Sequence, residues 1–319
     1  MASRLRPYLV GLTALLVFLL YFTIGYQDAR EQGFFEEDCS SEMIMFVESS
    51  GQGHLNGRIS CALESTSKHN PERTVVLWYH EKLLSRDNPF IPVIERLGNV
   101  QLRNMTPEVI FKGTPLELWY ASGILNQSSH SVVHLSDALR LALVYKFGGA
   151  YMDIDIVNLK PLNGLRNCIS RSQEDMVSNA FLFFDRGHPF LLHCMRRFAE
   201  NYKPHTWGEN GPRLLRHVIL KLCNKPSIRD LVGQPCANVT VLPSELLLPL
   251  NFTQWNHFFQ RKHCAQAWNS LEQSYVMHIF GSRSSEAHVK ENDGSAYEEA
   301  ARLHCPKSFR TAIKYRGYF

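Results

Sequence analysis

The sequence lacks several features that would assign it to large classes of protein. Its 319 residues contain no block of basic residues and their formal net charge is +4, so charge gives no support for nucleic-acid binding. None of its eight cysteines forms a Cys-x-x-Cys pair, which argues against a zinc site. There is no internal repeat, and a content of 45% hydrophobic and 20% charged residues excludes a disordered chain. What remains is a folded protein of one or two domains.

Charged residues are also absent from one stretch near the N-terminus, between Arg6 and Asp28. Within it, Tyr8–Tyr26 would form about 28 Å of helix, enough to cross a bilayer. Arg4 and Arg6 precede this span and acidic residues follow it, so the positive-inside rule places the remainder of the chain in the lumen. We expect an uncleaved signal anchor. A cleaved signal peptide is the alternative, although no small-x-small cleavage site is evident.

This interpretation divides the chain into four parts. They are a cytoplasmic tail (1–7), a transmembrane anchor (8–26), a polar, acidic stem (27–42) and a luminal domain (43–319). Fully extended, the stem would reach at most about 50 Å. We therefore expect the luminal domain to work close to the membrane.

Sequon and cysteine counts agree with a luminal location. Chance would give roughly one or two N-glycosylation sequons in a chain of this length, and four occur, at Asn104, Asn126, Asn238 and Asn251. All eight cysteines follow the predicted span, and an oxidising compartment would pair some of them. Because Cys223 and Cys236 flank two turn sequences, we expect them to form a local disulfide worth about 3 kcal/mol.

Short apolar runs alternate with helical patterns in the predicted luminal domain. Strands are predicted at Met43–Val47, Thr74–Trp78 and Val100–Arg103, with a helix at Arg58–Ser67. Strands separated by helices indicate an α/β fold with a mostly parallel, doubly wound sheet. In such sheets, ligands bind beyond the carboxyl ends of the strands.

The segment Leu135–Val157 combines a helix, a turn and a strand. Ser136 is predicted to cap the helix, and Gly148–Gly149 to end it by supplying positive φ. Side chains alternate along a strand, so the strand that follows would place Asp153 and Asp155 on one face.

Two carboxylates on one face of a half-buried strand repel each other, and a divalent cation would remove that cost. Oxygen ligands favour Mg²⁺ or Mn²⁺ over zinc. The alternative is that Asp153 and Asp155 are solvated on an edge strand, which is the usual explanation of an isolated Asp-x-Asp. A paired-Asp phosphohydrolase is a further alternative, but the sequence shows neither extra metal ligands nor a phosphorylated Asp loop.

The segment Phe147-Gly-Gly-Ala-Tyr-Met-Asp153-Ile-Asp155 resembles the Phe-Gly-Gly-x-Tyr-x-Asp-x-Asp signature of nucleotide-sugar glycosyltransferases with the Rossmann-like GT-A fold. From about Met43 to the C-terminus, the chain is similar to the animal α1,4-glycosyltransferases. Further segments shared with that family are Phe46–Ser49, Pro115–Tyr120, Asn179–Leu182, Trp207–Pro212 and Val241–Pro243. The chain departs from the family at His278-Ile-Phe280, where relatives tend to carry His-x-Trp, so the stacking surface there differs.

The resemblance implies a GT-A catalytic domain that uses a UDP-sugar donor with Mn²⁺ or Mg²⁺. It implies metal ligation by Asp153, Asp155 and His278, although a histidine in an apolar run is also common in a protein core. It implies catalytic roles for Asp153 and Asp155, and for Asp137 and Arg140, which would otherwise form a surface ion pair. The residues expected to bind the donor are Phe46, Glu48, Ser49, Asp137, Arg140, Asn179, Trp207 and Gly211; the alternative for Trp207 is a core or rim aromatic.

The resemblance also implies the substrates. We expect a retaining enzyme of the Golgi membrane that transfers galactose or N-acetylgalactosamine, through an α1,4 linkage, to a glycosphingolipid such as lactosylceramide. The alternatives are transfer of N-acetylglucosamine to a glycoprotein glycan, or an inactive sugar-binding relative. Retention by a carboxylate nucleophile or by front-face attack is left open, as is a homodimer. The apolar stretch Leu246–Leu250 would support a lipid acceptor if it lay near the membrane, but core is its more common location.

Overall fold

The computed structural model describes residues 43–51, 55–80, 87–172 and 175–319. The predicted tail, transmembrane anchor and stem (1–42) lie outside these residues. Among the described residues, no helix has both the length and the apolar character needed to cross a membrane.

Strands and helices alternate through the described residues, as predicted. The strands are β1 (Ile44–Glu48), β2 (Val75–His80), β3 (Val100–Met105), β4 (Gly149–Met152), β5 (Ile156–Asn158), β6 (Cys168–Arg171), β7 (Val177–Phe184), β8 (Thr240–Leu242) and β9 (Val276–His278). The α-helices are α1 (Gly57–His69), α2 (Ile91–Glu95), α3 (Pro107–Phe111), α4 (Glu117–Ala121), α5 (Ser131–Phe147), α6 (Pro189–Glu200), α7 (Pro212–Cys223), α8 (Cys264–Leu271), α9 (Gly281–Ser284), α10 (Ala296–His304) and α11 (Pro306–Arg316).

Seven strands form one sheet in the order β3-β2-β1-β4-β7-β6-β8. The four strands β3, β2, β1 and β4 are parallel, and β6 is parallel to β8, whereas β7 runs antiparallel to both of its neighbours. The remaining two strands, β5 and β9, pair antiparallel in a separate small sheet. The prediction of a mostly parallel α/β sheet is confirmed, with one reversed strand.

Strand β1 shows why the sheet carries helices on both faces. Its side chains alternate between two cores: Ile44 and Phe46 pack with α1, α10 and α11, whereas Met45 and Val47 pack with α5, α6 and α7. All four side chains are buried, which is typical of a strand covered on both faces. Burial of each contributes roughly 1.5–3 kcal/mol.

The helix before the Asp pair, α5, begins at Ser131, with His130 as the N-cap residue. The prediction that Ser136 caps this helix is therefore wrong. Ser136 lies inside α5, where its hydroxyl accepts a hydrogen bond from Arg140 one turn later (2.8 Å). The predicted end of the helix is confirmed, because Gly148 caps it with a φ of 71°.

The next residue, Gly149, brings β4 against β1. Its φ is 92°, and a Cβ added there would lie 2.2 Å from the carbonyl oxygen of Met43. Only glycine fits this approach. The Gly-Gly pair thus ends the helix and sets the position of the strand that leads to the Asp pair.

Asp153 and Asp155 do not lie within a strand, so the prediction that alternation places them on one strand face is wrong. Strand β4 ends at Met152, and the backbone N–H of Asp153 donates to the carbonyl of Ala180 (3.0 Å). The chain then turns away from the large sheet, because β5 pairs with β9 instead. The two carboxylates therefore lie on a turn at the carboxyl end of β4.

Two disulfides lie within the described residues. Cys223–Cys236 was predicted and is confirmed, and Cys61–Cys305 joins α1 to the end of α10. The stretch Leu246–Leu250 is core rather than membrane-facing, since Leu247 and Leu250 are buried in the same cluster as α1. This stretch gives no support to a lipid acceptor.

Candidate active site

The small β5–β9 sheet brings a histidine to the Asp pair. His278, the last residue of β9, pairs in register with Ile156, directly after the turn that carries the carboxylates. Its Nε2 lies 3.1 Å from Oδ1 of Asp155. Ligand atoms of Asp153, Asp155 and His278 all lie within 4.8 Å of one another. The structure therefore assembles the three residues predicted as metal ligands.

The donor set fits a divalent cation. Oδ1 of Asp155 and Nδ1 of His278 are buried without a hydrogen bond, and the contact of Oδ1 with Nε2 of His278 is an ion pair. Buried polar atoms are normally satisfied, so these two atoms indicate a site for a ligand. Carboxylate oxygens and an imidazole nitrogen are both ordinary ligands of divalent cations in proteins.

Backbone geometry fixes the second carboxylate. The N–H of Gly281, at the start of α9, donates to Oδ2 of Asp155. A Cβ at Gly281 would lie 3.0 Å from the same oxygen, so a larger residue would crowd the carboxylate. Burial raises the pKa of Asp155, but His278 and the hydrogen bonds outweigh it and lower this pKa to about 2.

The pKa of His278 is shifted by the same contact with Asp155. Burial lowers the pKa of His278, and the Asp155 carboxylate raises it by more, so the net shift is upward. This environment attracts positive charge to the imidazole position, whether carried by a proton or by a cation.

Arg140 connects the first carboxylate to the sheet and to α5. Its Nη1 donates to Oδ1 of Asp153 (2.9 Å) and to the carbonyl of Asn179 (2.8 Å). The guanidinium also lies over the ring of Tyr151, 4.6 Å from its centroid, and the Tyr151 hydroxyl donates to the same Asp153 oxygen. Arg140 is buried, so the surface ion-pair alternative is wrong. Burial opposes its charge, but the surrounding carboxylates raise the pKa of Arg140, which stays protonated.

Asp137 extends the network to the loop before α7. It lies 3.5 Å from Arg140, and its Oδ1 accepts a hydrogen bond from the side-chain amide of Asn179 (2.6 Å). Burial raises the pKa of Asp137 to about 6, against the opposing effects of Arg140 and Asn179. Gly211 packs directly on this pair, because an added Cβ there would lie 2.5 Å from the Asn179 amide nitrogen and 2.9 Å from Oδ2 of Asp137.

The predicted residues at the end of β1 separate into core and rim. Phe46 has no exposed surface and belongs to the core, so its predicted contact with a donor through the side chain is not available. Glu48 is buried, with Oε1 accepting from the N–H of Ser50 (2.9 Å) and Oε2 without a partner. The hydroxyl of Ser49 donates to the carbonyl of Val132 (3.1 Å). Glu48 is therefore the residue of this group with an oxygen left for a ligand.

Trp207 is separated from the buried network. Its side chain is 54% exposed, and its ring contacts Phe252 at 6.3 Å between centroids. It is thus a rim aromatic and not a core residue.

A cavity of about 430 Å³ adjoins the carboxylates and is lined in part by Gly281 and Ser282 of α9. Its lining includes Asp153 and Asp155 together with the cationic side chains Arg58 and Arg316. Positive groups beside paired carboxylates suit an anionic ligand held with a cation.

Sequence reasoning missed three contributors to the site. Tyr151 and Ser136 hold Asp153 and Arg140, and the backbone of Gly281 holds Asp155. Tyr151 belongs to the Phe-Gly-Gly-x-Tyr-x-Asp-x-Asp motif, so the sequence could have indicated its role. No local pattern marks Gly281, because its role depends on a contact with a residue 126 positions earlier.

Comparisons with known proteins agree with this site. Residues 57–173 match the glycosyltransferase sugar-binding region containing the DXD motif, and residues 183–312 match the alpha 1,4-glycosyltransferase conserved region. The chain is 31% identical over 278 residues to lactosylceramide 4-alpha-galactosyltransferase of Rattus norvegicus, covering 85% of this chain and 76% of the relative. It is 28% identical over 284 residues to alpha-1,4-N-acetylglucosaminyltransferase of Homo sapiens, covering 85% and 81%. Among solved structures, galactosyltransferase LgtC with donor and acceptor sugar analogs is 13% identical, with a TM-score of 0.44 over 85% of this chain and 99% of that one.

A sugar-binding region with its DXD motif and a buried acidic network define a UDP-sugar-dependent hexosyltransferase similar to the α1,4-galactosyltransferases. The chain belongs to the α1,4-glycosyltransferase family.

Proposed function

We propose that this enzyme is a retaining α1,4-galactosyltransferase of glycosphingolipids. It transfers galactose, or N-acetylgalactosamine, from a UDP-sugar to the terminal sugar of an acceptor such as lactosylceramide. The observation that carries the proposal is the Asp153–Asp155–His278 cluster, tied through Arg140 to Asp137. Support for the acceptor comes from relatives in rat and human, which are lactosylceramide 4-alpha-galactosyltransferases 31% and 30% identical to this chain.

Asp153, Asp155 and His278 would hold Mn²⁺ or Mg²⁺. When bound, the cation supplies a Lewis acid for the negative charge that develops on the β-phosphate as the bond to the anomeric carbon breaks. Arg140 fixes the orientation of Asp153, and Gly281 fixes that of Asp155. The diphosphate would lie in the cavity lined by Arg58 and Arg316.

The remaining polar residues hold the donor. Asp137 accepts a hydroxyl hydrogen bond from the donor sugar or ribose through Oδ2, because Asn179 already occupies Oδ1. Arg140 and Asn179 act as positioning residues for the two carboxylates. Glu48 accepts a hydrogen bond from the nucleoside at its unpartnered Oε2, with Ser49 beside it.

We further propose that the enzyme is a type II protein of the Golgi membrane, anchored by residues 8–26. Support comes from the charge asymmetry around that stretch, from the two disulfides, and from the exposure of Asn104, Asn126 and Asn238. Treatment of the expressed protein with an endoglycosidase is expected to increase its electrophoretic mobility. An N-terminal sequence that starts beyond Gly25 would rule out the anchor.

A direct test separates the substrates. Membranes that contain the enzyme are incubated with labelled UDP-galactose, UDP-N-acetylgalactosamine or UDP-N-acetylglucosamine, and lipid is partitioned from protein. We expect label from UDP-galactose in the lipid fraction, with release by an α-galactosidase. Label found only in protein would contradict a glycolipid acceptor, and resistance to α-specific glycosidases would contradict retention.

Transfer of N-acetylglucosamine to a glycoprotein glycan is the second candidate. It is favoured by the human N-acetylglucosaminyltransferase, which is 28% identical to this chain and also covers 85% of it. The same experiment distinguishes it. An inactive sugar-binding protein is disfavoured because Asp137, Arg140, Asp153 and Asp155 are all present and linked to one another.

A further inference from the structure

Three aromatic rings lead from the proposed metal site to solvent. Phe280 contacts His278 (4.5 Å between centroids), Phe252 contacts Phe280 (6.0 Å), and Trp207 contacts Phe252 (6.3 Å). We call Trp207, Phe252 and Phe280 the aromatic wall. Phe252 and Phe280 are half-buried and Trp207 is exposed, so the wall offers apolar surface beside the reacting centre.

The exposed end of the wall is held in place by its loop. Asn210 exchanges two hydrogen bonds with the backbone of Lys203 (2.9 and 2.8 Å), which closes the loop around Trp207. The N–H of Arg213 donates to the carbonyl of Gly208 (3.2 Å), and the carbonyl of Pro204 accepts two more hydrogen bonds. The loop thus presents a large aromatic side chain to solvent from an anchored backbone. Core packing does not explain that placement.

The inner end of the wall is strained. Phe280 has a φ of 53° and a ψ of 63°, the left-handed region that a bulky residue rarely adopts. This conformation directs the next N–H, that of Gly281, to Asp155. Backbone strain of this kind is common at functional sites. Here it links the position of the Phe280 ring to the orientation of Asp155, the proposed metal ligand.

Helix α9 separates two chemically different surfaces. Ser282 and Ser285 face the cavity that contains Arg58 and Arg316, where an anionic diphosphate fits. On the other side, Arg283 lies over the ring of Phe252, 4.4 Å from its centroid. No carboxylate among the described residues pairs with the Arg283 guanidinium. This second surface combines apolar ring faces with hydrogen-bond donors.

That combination matches an uncharged sugar. The C–H faces of a hexose pack on aromatic rings, and its hydroxyl oxygens accept hydrogen bonds from a guanidinium. A lipid-linked or protein-linked acceptor must also reach the site from solvent, and the wall extends from His278 to an exposed tip. The charged donor requires the opposite surface.

Building on the proposed function, we propose that the aromatic wall is the acceptor platform: Trp207, Phe252 and Phe280 bind the terminal neutral hexoses of the glycan, and Arg283 donates to their hydroxyl groups. Trp207 then contacts the acceptor and not the donor. The wall sets which acceptor hydroxyl lies beside Asp153, Asp155 and His278.

Single-ring variants test this assignment in the full-length enzyme, with UDP-galactose, Mn²⁺ and a soluble β-lactoside as the acceptor probe. Phe252→Ala leaves the Asn251–Thr253 sequon intact, and Trp207→Ala alters the exposed tip. We expect each to raise the acceptor KM by about tenfold, as for loss of one stacking ring, with the donor KM changed less than about twofold. Phe280→Trp keeps a ring and is expected to bind the lactoside. Tyr315→Ala, which removes a 64% exposed aromatic on α11, is the matched control.

Saturation-transfer NMR of the β-lactoside, with UDP and Mn²⁺ present, gives a readout that does not need turnover. Lactoside binding that is lost in Phe252→Ala and kept in Tyr315→Ala supports the aromatic wall as the acceptor platform. A wild-type enzyme that releases UDP from none of the three donors would refute the proposed function, but it would leave this result intact. The assignment is overturned if the wild-type protein does not bind the lactoside. It is equally overturned if the ring variants raise the donor KM instead, or leave acceptor KM and lactoside binding unchanged.

Discussion

Two buried polar regions of this enzyme differ in whether their charged groups are satisfied. In the first, where α1 meets α10 and α11, both oxygens of Glu64 accept hydrogen bonds from the start of α11: Lys307 N–H (3.0 Å), and the N–H and hydroxyl of Ser308 (both 2.7 Å). We call this region the C-terminal clasp; it includes the Cys61–Cys305 disulfide. In the second, the proposed active site, Asp155, His278 and Glu48 each retain a buried atom without a hydrogen bond.

This difference in hydrogen bonding distinguishes a region that stabilises the fold from one that binds a ligand. A buried carboxylate that caps a helix stabilises the fold, and its removal leaves backbone donors unpaired. A buried carboxylate with an unpartnered oxygen destabilises the fold unless a ligand completes it. The clasp is therefore expected to control stability, and the active site to control transfer.

The largest effect is expected at the metal cluster. Asp155→Asn should lower transfer by about 100-fold or more. The cation that stabilises the negative charge developing on the diphosphate would lose one of its charged ligands. The melting temperature should fall by less than in Glu64→Gln, because the amide oxygen of the new side chain can still accept the hydrogen bond from the Gly281 N–H, although the ion pair with His278 is lost. The measurements are UDP release with Mn²⁺ and thermal unfolding.

Glu64→Gln is the matched control from the clasp, with the opposite pattern: lower stability and near-normal transfer per folded molecule. Asp153→Asn is expected to behave like Asp155→Asn. Near-normal transfer by either Asn variant in the presence of a chelator would contradict the assignment of Asp153 and Asp155 as metal ligands.

A second large effect is expected at Gly211. In Gly211→Ala the new methyl group would displace Asp137 and Asn179, and a shift of about 1 Å in a positioning group can cost about 100-fold in rate. Gly98→Ala is the control, because no atom lies within 4 Å of a Cβ added there. Equal kcat/KM values for the two variants would show that the close packing of Gly211 is unimportant.

The two disulfides are expected to contribute unequally to the free energy of unfolding. Cys61–Cys305 closes a far longer loop than Cys223–Cys236 (sequence separations of 244 and 13), so its loss should cost more. In the chain-entropy model the costs are about 5 and about 3 kcal/mol. Urea unfolding of the two double Cys→Ala variants measures them, with transfer below the melting range expected to be retained. A larger loss from the short loop would contradict this order.

The smallest effect is a pH dependence of the clasp. Nε2 of His69 and Nδ1 of His304 lie 2.8 Å apart. Burial, together with the nearby His69 and Lys68, lowers the pKa of His304 from 6.5 to about 4. The unfolded chain binds more protons in this interval, so the stabilisation is complete above about pH 6.5 and is lost as the pH falls toward 4.

Melting temperatures between pH 8 and pH 5 test this prediction. The decrease toward pH 5 should be smaller in His304→Gln than in the wild-type enzyme, whereas His193→Gln, at an exposed position on α6, should follow the wild type. Parallel curves for all three proteins would count against a role for His304.

The sequence predicted some local features of the fold correctly and others wrongly. The apolar runs at β1 and β2 predicted strands within a few residues of their observed ends, because a strand covered on both faces must be apolar along its length. Strand β3, also predicted, lies at the sheet edge, where polar residues alternate with apolar ones and most side chains are only partly buried. The end of α5 at Gly148 followed from backbone freedom alone. By contrast, Ser136 looked like a helix cap because a cap and a residue inside the helix share the same local pattern. Its hydroxyl instead serves Arg140.

The sequence by itself determined the class of the enzyme and the identity of its central residues, because the DXD signature and the helix before it are contiguous. The tertiary structure alone decided how those residues are arranged. It placed the Asp pair on a turn, because β5 pairs with β9, 118 or more residues later in the chain. It also joined Asp137 to Gly211, Asp155 to Gly281, and His278 to the aromatic wall. The contacts of Asp137 with Gly211 and of Asp155 with Gly281 join segments far apart in sequence, and local patterns carry no information about which distant segments will meet.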